Sequence, residues 1–415
     1  MVSGSMKILL INHYVGSNIH GMEYRPYYLA KEWVKGGHEV TMIGASFSHI
    51  RTVQPEVENN WKEEYHDGIR YLWVKTPSYE GNGVKRIINM AVFMKELMFH
   101  SAKLAETYKP DVVIASSTYP LDIYPARKIA NKVKAKLIFE VHDLWPLSPM
   151  ELGNMSAKHP FIMVMQKGEN DAYRYADKVV SLLPKADQHM IEHGMEPSKF
   201  RYLPNGIDIE QWEQAHEKIP NDHKDVIDDL RKNGKFLIGY AGTHGIANAL
   251  EYLIEAAERT YDERIAYVLV GKGPERDNLI NKVKEKNLKN IHFLPVINKK
   301  AIPDFLSQMD ALYIGWRRSP LYRFGVSPNK LLDYLMAGKP IIHGIEAGND
   351  LVAEAGAGIT IPPEDPDEVA QAAKKMLELP EDRRNEMGTN GQRFVIETHD
   401  YRVLSQKFID IMNEN

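Results

Sequence analysis

Short apolar runs of strand type alternate with helix-type segments along this chain, and the alternation begins again near its middle. Lys7–Asn12 reads as a strand, followed by a polar, glycine-containing loop over residues 13–24. A helix follows from Pro26, with Leu29, Ala30, Trp33 and Val34 at helical spacing, closed by Gly36-Gly37 before a strand over Glu39–Ile43. Two strands joined by a helical crossover pair in parallel, so the pattern predicts an α/β fold. Residues 46–77 read as irregular apart from a strand-like Gly68–Val74. Beyond them come a long amphipathic helix over Val84–Tyr108, strands over Asp111–Ser116, Lys136–Val141 and Lys178–Leu183, and helices over Asp122–Val133 and Pro160–Tyr175. The Pro204-Asn205-Gly206 turn is a natural boundary. After it the same alternation resumes, with strands over Phe236–Tyr240, Ala266–Val270, Ile291–Leu294, Ala311–Gly315 and Gly358–Ile361 and a helical tail from Asp367. The expectation is two parallel-sheet domains facing a central cleft: residues 1–205, residues 206–390, and a terminal helix over 391–415 packing back on the first.

Composition narrows the function. The 415 residues exceed one ordinary core, and a net charge of −4 gives no general reason to expect nucleic acid as a partner. The absence of cysteine excludes disulfides, thiolate metal sites and thiol catalysis. No apolar run approaches the roughly 20 residues that span a bilayer, so a cytoplasmic protein is expected. Residues 1–5, ahead of a second methionine at Met6, read as an added leader outside the fold. The Val84–Tyr108 segment mixes Lys85, Arg86, Lys95 and Lys103 with Ile87, Ile88, Phe93, Leu97 and Phe99. Such a helix usually packs its apolar face into the core; the minority reading is a peripheral contact with the inner face of a membrane.

The stretch FGVSPNKLLDYLMAGKPII, residues 324–342, holds the densest set of polar groups that a helix does not itself require. Ser327 is the expected N-cap and Pro328 the first helical residue, which leaves the backbone N–H groups near Asn329 and Lys330 as an anion site. Leu331, Leu332 and Leu335 share one face, and Asn329, Lys330 and Asp333 the other. Gly16 and Gly21 lie in the first loop, and the loop 241–245 offers a second helix start; neither has the G-x-G-x-x-G spacing of dinucleotide sites. His142 follows the strand Lys136–Val141, at the sheet end where open α/β folds bind ligands.

Taken in order, PNGID at 204–208, GYAG at 239–242, VGKGPE at 270–275 and SPNKLLDYLMAGKPI at 327–341 resemble a family 4 glycosyltransferase of the GT-B fold. Its bacterial members in cell-surface polysaccharide assembly are the nearest in character. The resemblance implies retaining, metal-independent transfer of a sugar, an N-acetylhexosamine, from a UDP-linked nucleotide sugar to a glycan or polyprenyl-linked acceptor, with no cofactor. Asp333 would stand where the family has a carboxylate on the ribose hydroxyls. Lys330, Ser327, Pro328 and Asn329 would meet the diphosphate together with Gly242 and Thr243. Val296 and the Gly271–Gly273 turn with Lys272 would line the base pocket, His142 would contact the transferring sugar, and Gly16 and Gly21 would approach the diphosphate.

Two positions depart from the family pattern. Gly325 occupies the place of a second glutamate, and residues 246–250 contain no basic side chain, so Arg323, Arg317 or Lys272 would join Lys330 in neutralising the diphosphate. The only D-x-D of the sequence read as a metal candidate, Asp365-Pro366-Asp367, lies in an acidic surface run. A sugar-nucleotide epimerase and a non-catalytic nucleotide-sugar-binding subunit are the alternatives; formation of free nucleotide diphosphate separates them from a transferase.

Overall fold

The computed structural model describes residues 4–21, 24–214 and 217–414. Residues 1–3 of the expected leader at 1–5, and the loop positions Met22 and Glu23, lie outside the described residues. The chain divides into two units, residues 1–205 with 401–415, and residues 206–400.

The first unit holds eight strands: β1 (Lys7–Ile11), β2 (Glu39–Ala45), β3 (Trp61–His66), β4 (Ile69–Val74), β5 (Val112–Ala115), β6 (Lys136–Val141), β7 (Lys178–Ser181) and β8 (Phe200–Tyr202). Their order in the sheet is β3-β4-β2-β1-β5-β6-β7-β8. β1 is central, with Ile8 aligned to Val40 on one side and Val112 on the other. Ile8, Leu9, Leu10 and Ile11 are buried on both faces, as a central parallel strand requires, each contributing roughly 1.5–3 kcal/mol. The terminal helix Tyr401–Asn413 belongs to this unit and lies on the helix Arg25–Lys35, where Tyr401 stacks on Tyr28 at 4.8 Å and Phe408 meets the edge of Trp33 at 5.2 Å.

The second unit holds β9 (Phe236–Ala241), β10 (Ile265–Val270), β11 (Ile291–Leu294), β12 (Ala311–Gly315), β13 (Ile341–Gly344) and β14 (Gly358–Ile361), in the order β11-β10-β9-β12-β13-β14 and all parallel. The direction of strand addition reverses between β9 and β12, as it does between β1 and β5 in the first unit. Loops leaving the carboxyl ends of such strands diverge and open a crevice.

Four local expectations are corrected. Residues 61–66, read as irregular, form β3, which pairs antiparallel with β4 through an Asp67-Gly68 turn whose φ values of 51° and 76° are those of a tight hairpin. Ser327 is not the N-cap and Pro328 is not helical. The helix runs over Asn329–Met336 with Pro328 as its cap residue, extended at ψ 130°, and no side chain caps it. The loop after β9 does not open directly into a helix. A turn over Ile246–Asn248 and a left-handed Ala249 intervene before the helix Leu250–Arg259, because Asn248 closes a turn of its own onto Gly245 and Thr243. The helix Glu381–Thr398 runs through the expected boundary at 390, and the chain leaves the second unit only at Asp400.

Candidate active site

In the second unit, the loops after β9 and β10 lie backbone against backbone. The Gly242 N–H donates to Val270 O at 3.1 Å, the His244 N–H to Lys272 O at 2.9 Å, and the Glu275 N–H to His244 O at 2.9 Å. A Cβ on Gly271 would stand 1.9 Å from Gly242 O, and one on Gly273 would stand 2.4 Å from His244 O, so these two glycines exist for loop-to-loop contact. Lys272 and Val296, assigned to the base pocket, are both exposed on the loops around this ledge.

The helix Asn329–Met336 is tied to the same ledge at two points. Tyr334 OH accepts from the Ala241 N–H at 2.8 Å and fixes the end of β9. Lys330 Nζ donates to Asn248 Oδ1 at 2.6 Å and to Tyr240 OH at 3.0 Å, and lies 4.7 Å from the centre of the Tyr240 ring. Gly242 makes this possible, since a Cβ there would be 2.9 Å from Lys330 Cδ. The structure therefore brings Gly242, Lys330 and the Asn329 helix start together. Thr243 is exposed beside them, its carbonyl accepting from Tyr240 OH at 2.8 Å.

Among the described residues, neither charged group of this helix has a counter-ion. Burial pulls the Lys330 ammonium down to about 8, and burial pushes the Asp333 carboxyl up to about 7 against a small opposing effect of Lys299. The Asp333 carboxyl has no hydrogen-bond partner among the described residues, leaving its lone pairs for hydroxyl donors. The other cations named for the diphosphate are differently placed. Arg317 donates to Ile246 O at 3.0 Å and pairs with Glu251; Arg323 is exposed and lies over the Phe324 ring at 4.3 Å. Ser327 and Pro328 are half-buried in the segment before the helix, which Asn349 clamps by accepting from the Val326 N–H at 2.7 Å and donating to Val326 O at 3.0 Å. Gly325, at the position of the family's second glutamate, has φ 102°, where a side chain is strained. Asp365 caps the helix Pro366–Glu378 by accepting from the N–H groups of Asp367 and Glu368, and Asp367 pairs with Arg259 at 2.9 Å, so this D-x-D is structural.

In the first unit, His142 follows β6 and is held from one side. Ser116 Oγ donates to Glu140 Oε2 at 2.7 Å, and His142 Nε2 lies 2.9 Å from Ser116 Oγ and 3.1 Å from Glu140 Oε2. With the serine proton given to the carboxylate, the acceptors left around Nε2 require it to carry the imidazole proton, and Nδ1 has no partner among the described residues. Glu140 is fully buried and accepts from Arg25 Nε at 2.8 Å. Burial opposes its charge, but Arg25 and His142 outweigh that and hold the carboxyl far below the usual carboxylate range. Gly16 and Gly21 serve the loop after β1: Gly16 O accepts from Tyr71 OH at 2.9 Å, and Gly21, at φ 63°, sits where a Cβ would be 1.8 Å from Thr52 Oγ1. Donor atoms of His20, Glu64 and His66, and of Glu169, His189 and His193, lie within 4.8 Å of one another; neither set includes a residue of the candidate site.

Sequence reading missed Tyr240, Asn248, Tyr334 and Asn349 in the second unit and Arg25, Ser116 and Glu140 in the first. Only Glu140 carried a signal, as a lone charge inside the apolar run KLIFEV. The tyrosines read as core, and the asparagines as turn residues.

Comparison with known proteins identifies the family. Residues 222–394 match the model of glycosyl transferases group 1, and residues 20–206 match the glycosyl transferase 4-like domain. The chain is 24% identical over 360 residues, 84% of its length and 87% of the relative's, to the Escherichia coli K12 protein named as the colanic acid biosynthesis glycosyl transferase WcaI. It is 23% identical to the glycosyltransferase WbjE of Pseudomonas aeruginosa, over 90% of each chain. Among solved structures, Anabaena Alr3699/HepE in complex with UDP and glucose superposes with a TM-score of 0.62 at 16% identity, covering 99% of this chain and 100% of that one. With both halves matched in order, and with two α/β sheets, one of eight strands parallel but for β3 and one of six parallel strands, the chain belongs to the group 1, GT4-like glycosyltransferases of the GT-B fold and uses a nucleotide-sugar donor.

Proposed function

We propose that this enzyme transfers an N-acetylhexosamine, with retention and without a metal ion, from a UDP-linked donor to a glycan or polyprenyl-linked acceptor in cell-surface polysaccharide synthesis. The observation that carries the reading is Lys330 folded over Gly242, beside Asp333 on the same helix, with no counter-ion for the one and no hydrogen-bond partner for the other among the described residues. The UDP bound in the Anabaena structure and the colanic acid name of the Escherichia coli relative support it from outside.

On this reading Asp333 accepts from the ribose hydroxyls, and Lys330 with the N–H groups at Asn329 and the Gly242-Thr243 ledge receives the diphosphate. Ser327, Pro328 and Arg323 border the diphosphate and Val296 and Lys272 border the base, while Gly16, Gly21 and His142 are the candidate substrate-binding residues of the first unit. As the bond from the anomeric carbon to the diphosphate oxygen breaks, negative charge builds on that oxygen, and fixed donors stabilise it without reorganising. The acceptor oxygen forms its bond on the same face, and its proton passes to the departing diphosphate. The helix Val84–Tyr108 would touch an anionic membrane surface through Val84, Ile87, Ile88 and Phe99, all exposed, with Lys85, Lys95 and Lys103 near the headgroups. No helix of the described residues is long and apolar enough to cross a membrane.

The test is calorimetric titration of UDP, GDP and ADP with and without EDTA, followed by turnover with UDP-N-acetylhexosamines. UDP binding that survives EDTA, with UDP released only when an acceptor is supplied, is the expected result. Binding of another nucleotide in preference to UDP overturns the donor assignment.

A further inference from the structure

The short helix Asp187–Glu192, which follows β7, sets His189 and His193 four residues apart, so that both rings stand on one face of a single turn. The ring centres are 4.2 Å apart and the planes are inclined at 33°. Glu169, in the helix Pro160–Tyr175, meets them from the other side and is 1% exposed. One donor atom of each of the three residues lies within 4.8 Å of the other two, and His189 Nε2 is 3.1 Å from Glu169 Oε1.

The surroundings orient these groups without neutralising them. Glu169 Oε1 also accepts from Tyr173 OH at 2.9 Å, and Oε2 accepts from Gln166 Nε2 at 2.7 Å. Both donors are uncharged and stand on the helix of Glu169 itself, four residues after it and three before. No lysine or arginine among the described residues forms an ion pair with Glu169; Lys199, at the end of that helix, donates to Tyr173 O at 3.4 Å and Arg174 O at 2.9 Å. A buried carboxylate without a permanent cation is unfavourable unless something else supplies the charge. His193 Nδ1 lies 2.8 Å from His189 O. A carbonyl only accepts, so Nδ1 keeps the ring proton and Nε2 of the neutral ring presents a lone pair.

We infer that Glu169, His189 and His193 hold a zinc ion that clasps the helix Asp187–Glu192 to the helix Pro160–Tyr175. Two ligands of a tetrahedral ion, each bonded at about 2.0–2.1 Å, stand about 3.3 Å apart, close to the separation of His189 Nε2 and Glu169 Oε1. The ion takes the place of the proton between those two atoms, and that proton leaves to solvent. Tyr173 and Gln166 then fix the carboxylate and the His189 carbonyl fixes the His193 ring, which is the outer support that metal ligands require. Two imidazoles with one carboxylate suit zinc, whereas magnesium takes oxygen ligands. His193 is partly exposed, which gives the ion a path from solvent and leaves the fourth position to water. The role is structural, since a helix of six residues has little stability of its own. None of the three side chains belongs to the candidate active site, so the clasp and the donor reading fail separately.

The experiment strips the full-length protein with EDTA, removes the chelator, and titrates zinc chloride by calorimetry with magnesium chloride in parallel. Parent protein binds zinc and melts higher in its presence, and magnesium does neither. H193Q replaces a partly exposed side chain, so it melts near the stripped parent. It binds zinc roughly tenfold or more weakly and loses the zinc-dependent rise in melting temperature, with UDP affinity unchanged. E169Q keeps the volume of the buried side chain and shows the same loss of zinc. H66Q, in the second group of close donors with His20 and Glu64, keeps the parent's response to zinc. No zinc binding by folded parent protein overturns the clasp, as does parent-like binding by H193Q or an equal response to magnesium. Should E169Q fail to fold, H193Q decides alone. Zinc binding lost in H66Q and retained in H193Q assigns the ion to the other group and overturns this one.

Discussion

At the carboxyl end of β6, Glu140 is wholly buried with Arg25 as its counter-ion and Ser116 and His142 completing its hydrogen bonds. At the carboxyl end of β9, Lys330 is held by Asn248 and Tyr240, both neutral, and Asp333 by no hydrogen bond among the described residues. The first cluster is electrostatically complete and orients one histidine ring. The second is incomplete, and its two charges sit displaced toward neutrality in the empty protein. A satisfied buried pair positions its neighbours; an unsatisfied one is held ready for a ligand that supplies the missing charge and donors.

The largest effect that tests this contrast is expected from Glu140→Ala. It strands Arg25 in the interior, and breaking a buried pair from one side costs about 3–5 kcal/mol. For a unit of this size that lowers the melting temperature by on the order of 10 °C, measurable by calorimetry. Because Glu140 titrates below its unfolded value, the stability it contributes is present above the unfolded pKa and is lost as pH falls toward the folded one. Glu140→Gln should flatten that acid limb. A variant that melts like the parent would mean that the pair is not the anchor of the His142 site.

Lys330→Ala should weaken UDP binding by roughly 1.5–3 kcal/mol, about 10- to 100-fold, with no loss of melting temperature, since no anion is left behind. A large loss of stability with unchanged affinity would place Lys330 with Arg25 as a structural cation. Gly242→Ala sharpens the same point. The added methyl meets Lys330 Cδ and Nζ, which are able to swing away, and Tyr240 OH at 3.0 Å, a contact that a few tenths of an ångström relieve, so the fold survives and UDP affinity falls by a smaller factor than in the lysine variant.

pH gives the smallest and most diagnostic effect. Lys330 titrates near 8 in the fold against 10.5 unfolded, so between those values the unfolded chain binds more protons and this group makes stability rise with pH. UDP requires the charged form, so affinity should fall as pH rises from 7 to 9, and the fall should vanish in Lys330→Arg. Asp333 has the opposite sign: its folded value near 7 lies above 3.8, so its contribution is full below pH 3.8 and is lost as pH rises through 7. Asp333→Asn should therefore raise the melting temperature at pH 8 while weakening UDP, and a simultaneous loss of both would argue for a structural carboxylate.

Several of these elements were legible before any coordinates. Lys7–Ile11 and Ile265–Val270 are apolar on both faces, and a run of that kind bounded by loops has few uses other than a central parallel strand. The Lys330 and Asp333 pair was legible because two charges share a helix face that its leucines leave free. The β3 hairpin was missed although Asp67-Gly68 is a strong turn signal, because Trp61–His66 carries five charged or titratable side chains on a sheet edge and has no apolar run. The cap was placed at Ser327, one residue early, because Pro328 keeps an extended backbone that sequence alone allows on either side of a helix start.

The sequence by itself determined the alternation of strands and helices, the two-sheet class, the family, and the residue types that can meet a nucleotide diphosphate. Those properties are set by local periodicity, turn chemistry and side-chain inventory. Only the tertiary structure decided that Arg25 neutralises Glu140 from 115 positions away and that Gly242 makes room for Lys330. Whether a charge is paired depends on which distant segments the sheet order makes neighbours, and that is fixed by packing rather than by any local pattern.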